Sequence, residues 1–249
     1  MPGGGSSGLS PGKVNYGMAR AHAIISEDDF HVPAAALTFD GFRAWAQSED
    51  FPETGRIDFL AGRVEAEMSP EELGTHGLVK SAIALGLGIL NSEKRLGYLF
   101  IDKTRVSSPE AQLSVEPDLV VVLSDSLQEG RTWFRSWNAR NPERLTEIEG
   151  AVDLAVEIVS NSSVRKDTKV LPPLYARAGV PELWIADARG IDLRFEIHTL
   201  ESNAYVPVEP DAEGWIRSPR LGSSFRLVRR PAPFVRWDFT LERREKTSA

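Results

Sequence analysis

Two apolar runs each carry one carboxylate where a buried strand should have none. The first is Glu116-Pro117-Asp118 followed by Leu-Val-Val-Val-Leu, and the second is Val152-Asp-Leu-Ala-Val-Glu157-Ile-Val-Ser160. A basic segment follows, Arg165-Lys166-Asp167-Thr168-Lys169. Acids are seldom fully buried unless they are paired or hold a metal. Asp118 sits at the mouth of its strand behind a proline, where a missing N–H costs least. Glu157 lies inside its strand: Val156 and Ile158 point to the opposite face, while Asp153, Ala155 and Val159 share its own. Two carboxylates converging from neighbouring strands suit Mg2+ or Mn2+, hard cations that take oxygen ligands and leave room for water and a substrate phosphate. A lysine nearby, Lys166 or Lys169, would stabilise charge developing on a phosphodiester. The chemistry is metal-assisted hydrolysis, with DNA as the expected substrate.

Each residue also has a plainer reading. Asp118 alone would serve as a strand-start or turn aspartate, and Glu157 as the ion-pair partner of Arg165 or Arg177. Lys166 and Lys169 could be solvated residues at a helix start, with Asp167 pairing one of them or capping the helix. His76, early in a long helix, either faces the site as general base or water-holder, or is a capping or core histidine. The four histidines (His22, His31, His76, His198) lack the spacing of a zinc site. Arg131, Trp133, Arg135, Trp137, Arg140 and Arg144 could stack on bases and hold a nucleic-acid backbone, or the tryptophans could anchor a connection.

The elements that must position these groups follow from pattern. Residues 1–17 open with a Gly/Ser-rich low-complexity stretch expected to be disordered, and Met18 is an alternative start. Ser26-Glu-Asp-Asp reads as a turn or helix start. Thr38 caps a short helix. Arg56–Leu60 and Arg63–Met68 form a hairpin. Ser69-Pro70-Glu71-Glu72 opens a helix running to about Ser92, with Gly86 and Gly88 allowing close packing. Strands are expected within 96–106, at 117–123, 154–159 and 183–187, and antiparallel ones at 193–198 and 205–208. A helical turn is expected around 131–141, and a helix through Leu174–Ala178 stops at Gly179. The order argues for an α/β (α+β) fold around a mixed central sheet flanked by helices, with an N-terminal hairpin and a C-terminal antiparallel extension. Residues 18–249 read as a single domain with its core at about 50–230.

Composition narrows the classes. With 249 residues, 41% hydrophobic and 26% charged, the chain can bury a sizeable core. It has no cysteine, which excludes disulfides and thiolate metal sites and suits a reducing cytoplasm. No apolar run approaches the roughly 20 residues that span a bilayer. A net charge of −7 argues against tight non-specific DNA binding, which depends on neutralising phosphates. Neither a GxSxG elbow nor a Gly-rich phosphate loop is present.

At several of these places the chain resembles the Uma2 family of endonucleases, which has the restriction-endonuclease-like PD-(D/E)XK fold. The matching pieces are Met68-Ser-Pro-Glu-Glu with Thr75-His76, Glu116-Pro-Asp118-Leu-Val-Val-Val, Leu154-Ala-Val-Glu157-Ile-Val-Ser160, Arg165-Lys166-Asp167, and Tyr175-Ala-Arg-Ala-Gly-Val-Pro-Glu-Leu-Trp184-Ile-Ala-Asp187. The resemblance spans roughly residues 50–230. It implies a metal-dependent nuclease with Asp118 and Glu157 as metal-binding carboxylates. The family pattern would place lysine at position 159, which is Val159 here, so a displaced Lys166 or Lys169 is implied. The acid the family tends to carry on its first strand is Asp58. Many enzymes that cut both DNA strands work as dimers, and the apolar helix of residues 71–92 offers a face for a homodimer. The alternative function is a catalytically silent nuclease fold acting as a binding or regulatory module.

Overall fold

The computed structural model describes residues 31–245. The expected disordered N-terminus, the start at Met18 and the turn at Ser26 lie outside these residues. A 3-10 turn (Ala34–Leu37) leads into α1 (Phe39–Ala46), whose N-cap Thr38 accepts from the Gly41 N–H. β1 (Arg56–Leu60) and β2 (Val64–Glu67) form the expected hairpin, turning through Ala61 and Gly62, both at positive φ.

The segment Ser69-Pro70-Glu71-Glu72 does not begin a helix. Winding starts as a π-helical turn (Leu73–Gly77) that continues into α2 (Leu78–Lys94). Here Glu72, not the residues before Pro70, satisfies the first free N–H groups, accepting from Gly74 and Thr75. The later start leaves Glu71 free to turn toward His76 and Lys80.

After α2 come β3 (Gly97–Ile101), β4 (Arg105–Ser108), β5 (Leu113–Val115), β6 (Leu119–Leu123) and α3 (Ser124–Gln128). β7 (Thr132–Arg135), β8 (Glu147–Gly150), β9 (Leu154–Ile158), a second π-helical turn (Lys166–Val170) and α4 (Leu171–Arg177) follow. The described residues close with β10 (Glu182–Asp187), β11 (Arg194–Glu201), β12 (Ala204–Pro207), β13 (Ile216–Ser218), β14 (Ser223–Pro231) and β15 (Trp237–Glu245). The helical turn expected around 131–141 is replaced in its first part by β7. Thr132-Trp-Phe-Arg has β-favouring side chains and pairs antiparallel with β8, so tertiary pairing overrides the local reading.

The mixed sheet expected at the centre has the order β12-β11-β10-β9-β6-β3, with β9 and β10 parallel and their other neighbours antiparallel. A second mixed sheet, β2-β1-β5-β4-β8-β7, carries the N-terminal hairpin. A third, β13-β14-β15, extends the antiparallel C-terminal region further than the sequence suggests.

The central sheet separates two apolar layers. On one face Leu154, Val156, Ile158 and Trp184 pack with Val79, Ile83 and Leu87 of α2 and with Phe225 and Leu241 of the third sheet. On the other, Ala155 and Val159 pack with Leu171, Leu174 and Tyr175 around α4 and with Leu113, Val115 and Ile148 of the second sheet. Strand alternation therefore sends the Glu157 side chain into the layer beneath α4. One helical run among the described residues, Leu73–Lys94, is long and apolar enough to cross a membrane by length and composition alone, as a core helix can also be. Its buried face includes Val79, Ile83, Leu87 and Leu90, while Leu85 and Ile89, one turn apart, stand exposed.

The two glycines of α2 differ in what they face. A Cβ on Gly86 would lie 2.9 Å from Leu241 Cδ2 and 3.0 Å from its Cβ, whereas one on Gly88 would meet only Leu99 Cδ2 at 3.9 Å. Gly86→Val is therefore expected to destabilise by about 1–3 kcal/mol through overpacking. Gly88→Ala should instead stabilise by up to about 1 kcal/mol through helix propensity. Denaturant melts of the two variants check the opposite signs.

Candidate active site

β6 and β9 are antiparallel neighbours with Leu119 opposite Val156, and one step along that register brings Asp118 beside Glu157. Both side chains are fully buried. Asp118 is held from four directions. Its Oδ2 accepts from the Ile158 backbone N–H at 2.7 Å and lies 3.4 Å from His76 Nε2. Its Oδ1 accepts from Arg56 Nη2 at 2.6 Å and lies 3.8 Å from Lys80 Nζ. Burial pushes this carboxyl up, but His76 and Arg56 outweigh burial and leave it well below the usual range. Arg56 is correspondingly held in its charged form: burial opposes the charge, and Asp118, Glu157 and Asp58 more than compensate.

Glu157 has a different environment. Tyr175 donates its hydroxyl to Oε1 at 2.5 Å, and Oε2 is buried with no partner among the described residues. Arg165 and Arg177, the ion-pair partners considered from sequence, are not what it bonds. Burial, and then the charges of Asp167 and Asp118, push its carboxyl well above the ordinary range. Asp167 shares this predicament. Its Oδ2 accepts from Ser163 Oγ, while its Oδ1 is buried and unpartnered. Burial raises its pKa from 3.8 to about 6.

The two lysines lie in different surroundings. Lys166 turns inward, with Nζ 3.2 Å from Asp58 Oδ2 and 3.6 Å from Glu67 Oε2, while Lys169 is exposed. Asp58, buried on β1, also accepts from the Glu116 N–H at 3.1 Å, which ties the second sheet to the segment just before Asp118. His76 lies between carboxylates, with Nδ1 3.1 Å from Glu71 Oε1. Burial lowers its pKa, but Asp118 and Glu71 outweigh that and raise it, favouring the imidazolium over the free base. Lys80 bonds Glu71 at 2.9 Å and Asp102 at 2.6 Å.

Above these acids opens a cleft of about 470 Å3, whose walls include Arg56, Glu71, His76, Lys80, Lys103 and Ser163. Arg56 also lines an adjoining cleft of about 230 Å3, together with Lys166. Asp58, Asp118, Glu157, Lys166 and His76 are thus brought together, and Lys169 is left outside. Sequence reasoning passed over Arg56, Lys80 and Tyr175. Arg56 had one available signal: it lies two residues before Asp58, so strand alternation puts both on one face. Lys80 falls four residues after His76, one helical turn on.

The basic, aromatic connection at 131–144 behaves as an anchor at Trp137, which donates to Glu147 Oε2 at 2.6 Å beneath the Arg43 guanidinium. Arg43 in turn bonds Glu147 at 2.7 Å.

The donor chemistry fits a hard divalent cation. Glu157 Oε2 and Asp167 Oδ1 are buried carboxylate oxygens without partners, beside a third carboxylate, Asp118. As the side chains stand, among the described residues no three His, Cys, Asp or Glu groups are gathered to hold a metal. Arg56 and Lys166 supply the positive charge at Asp118 and Asp58.

The raised carboxyls fix how metal-free protein responds to pH. Folded Asp167 keeps a proton that the unfolded chain has lost between 3.8 and about 6, so stability falls as pH rises through that window. Glu157, also raised, acts in the same direction. Asp118 is lowered, and its contribution is lost only as pH falls below 3.8. Asp167→Asn should flatten the decline in Tm measured in chelator across this window. A slope as steep as the parent's would contradict the assignment.

The Uma2 family, described as "Putative restriction endonuclease", matches residues 39–228. Among solved structures, one described as a putative nuclease belonging to DUF820, from Anabaena variabilis, is similar in fold. It shows a TM-score of 0.53 and 18% identity over 74% of this chain and 90% of its own. No curated protein matches the chain significantly. With a match that covers the central sheet, α2, α4 and every acid of the cluster, the chain belongs to the Uma2 family.

Proposed function

We propose that this chain is a metal-dependent endonuclease that hydrolyses phosphodiester bonds of DNA. The observation that carries the reading is the orphaned Glu157 Oε2 beside Asp118, with Lys166 delivered to the same cluster from the opposite side. Asp118 and Glu157, with Asp167 as a further oxygen donor, would hold Mg2+ or Mn2+, which supplies Lewis acidity toward a phosphoryl oxygen and lowers the pKa of a bound water.

The chain's own residues then have separable tasks. Lys166 keeps its charge, since Asp58, Glu157 and Asp167 outweigh the cost of burial, and its ammonium stabilises negative charge on the attacked phosphate. Arg56 reaches both clefts and remains partly exposed, at 21% of its side chain, so it lies where a phosphate would meet it. His76, biased toward its charged form, offers a proton or a positive charge from the cleft wall, and Glu71 fixes its ring. Tyr175 orients Glu157. The silent-module alternative is favoured by valine in place of lysine at position 159, by the net charge of −7, and by the Arg56–Asp118 pair, in which a protein cation already balances the carboxylate.

Plasmid cleavage with Mg2+ or Mn2+ separates the two. Asp118→Ala and Glu157→Gln should abolish cutting. Lys166→Met should cut about 10²–10³-fold more slowly, the scale of losing one charge-stabilising group, while Lys169→Met should cut like the parent. Equal cutting by parent and Asp118→Ala would defeat the assignment. No cutting by the parent across salts and substrates, with no metal uptake in calorimetry, would favour the silent module.

A further inference from the structure

Beyond the cleft, β14 and β15 form a long hairpin. β14 and β15 pair from Ser223↔Glu245 to Pro231↔Trp237, and the loop Ala232-Pro-Phe-Val-Arg236 closes them. The stretch Arg229-Arg230-Pro-Ala-Pro-Phe234-Val-Arg236-Trp237 holds three arginines and no acid, in a chain of net charge −7. Phe234 at its tip is 98% exposed, and Val235 beside it is 42% exposed.

Two of the three arginines lie against one indole. The Arg229 guanidinium lies 4.5 Å from the Trp237 ring centre and that of Arg236 lies 5.5 Å from it. Among the described residues no carboxylate pairs with Arg229 or Arg236. Arg230 is 68% exposed; it pairs with Glu242 at 3.3 Å and faces Asp238 across the hairpin. Three arginines against these two acids leave the tip positive.

The hairpin connects to the cleft rim through Arg189 and Gly190. Asn161 lines the cleft, and Arg189 Nη1 reaches its Oδ1 at 3.4 Å. The next residue, Gly190, accepts at its carbonyl from Arg229 Nη1 at 3.2 Å. Two contacts thus link the cleft rim to the hairpin.

We propose that the 229–237 hairpin is a DNA-binding arm, with Arg230 and Arg236 on backbone phosphates and Phe234 inserted against bases in a groove. The inference rests on the nuclease reading of the cleft and names the surface that brings duplex DNA to it. Guanidinium groups pair with phosphate, and an apolar side chain at the tip of such an element can wedge between base steps. A fully exposed phenylalanine has no packing role here to account for it. Pro231 and Pro233 restrict the loop, so less conformational freedom is lost on binding.

The test is fluorescence anisotropy of the full chain with a short DNA duplex in chelator, where metal-dependent cutting is off, across a salt series. Arg230→Ala and Arg236→Ala should each weaken binding and reduce the slope of log K against log salt by about 0.9, one phosphate contact apiece. Arg236→Lys should restore most of that slope. Phe234→Ser should weaken binding about 10-fold or more with the slope unchanged, as expected for losing one base contact of about 1–3 kcal/mol. Its melting temperature should not move, since the side chain buries nothing. Arg244→Ala, which removes an arginine already paired with Asp211 and Glu213 at the far end of the same strands, serves as the control and should bind like the parent. Parent-like binding by all the hairpin variants, or no duplex binding by the parent, would overturn the proposal. So would a Phe234→Ser variant whose only change is loss of self-association in sedimentation. If the parent binds through the hairpin but never cuts, the nuclease reading fails and the arm stands. If it cuts and the variants bind normally, the reverse holds.

Discussion

Four carboxylates, Asp58, Asp118, Glu157 and Asp167, are buried at one point of this protein, and the neutralisation of their charge governs everything around them. An ionised carboxylate out of water is costly unless it is paired or protonated. The chain uses both solutions at once. Arg56 and His76 keep Asp118 ionised, and Lys166 serves Asp58. Glu157 and Asp167, each with one oxygen lacking a partner, are driven toward their neutral forms. That asymmetry is what a stability argument alone would not produce. A cluster built only for stability would pair every oxygen, whereas this one leaves two free beside an ionised neighbour.

Each layer of the fold contributes one part of that balance. The antiparallel register of β6 and β9 sets Asp118 against Glu157, and their face opens toward α4, which carries Tyr175. The second sheet brings Asp58 and Arg56 on β1, joined to the central strand segment through the Glu116 N–H. The late start of the helix after Glu72 leaves Glu71 extended, so that it clamps His76 and Lys80 over the same acids. The expectation of a helix beginning at Pro70 would have consumed that reach.

The acids and the central strands were legible because burial makes them conspicuous: a carboxylate between valines has few meanings. The hairpin, α2 and the strand after Gly179 carried equally local signals, in turn residues and periodicity. What escaped was set by pairing between distant segments. β5 pairs with β1 and β8 with β4, each far away in sequence, and Thr132-Trp-Phe-Arg reads as a strand only once β8 lies beside it. Arg56 escaped for a related reason. On a hairpin strand it looks like a solvated arginine, and its 2.6 Å bond to Asp118 spans two sheets that no single-segment pattern connects.

The valine at position 159 shows why the displaced lysine is physically reasonable. Val159 shares its strand face with Ala155 and Glu157 and is fully buried among Leu171, Leu174 and Tyr175. An ammonium there would have to be desolvated against an apolar wall, with α4 leaving no room for a long stem. Lys166 carries a burial cost as well, but it arrives from the turn before α4, where Asp58 and Glu67 meet its head near the smaller cleft and offset that cost. Lys169, three residues on, has rotated off that face and stands in solvent. The Lys166 ammonium thus reaches the cluster from the turn before α4, where Asp58 on β1 holds it at 3.2 Å.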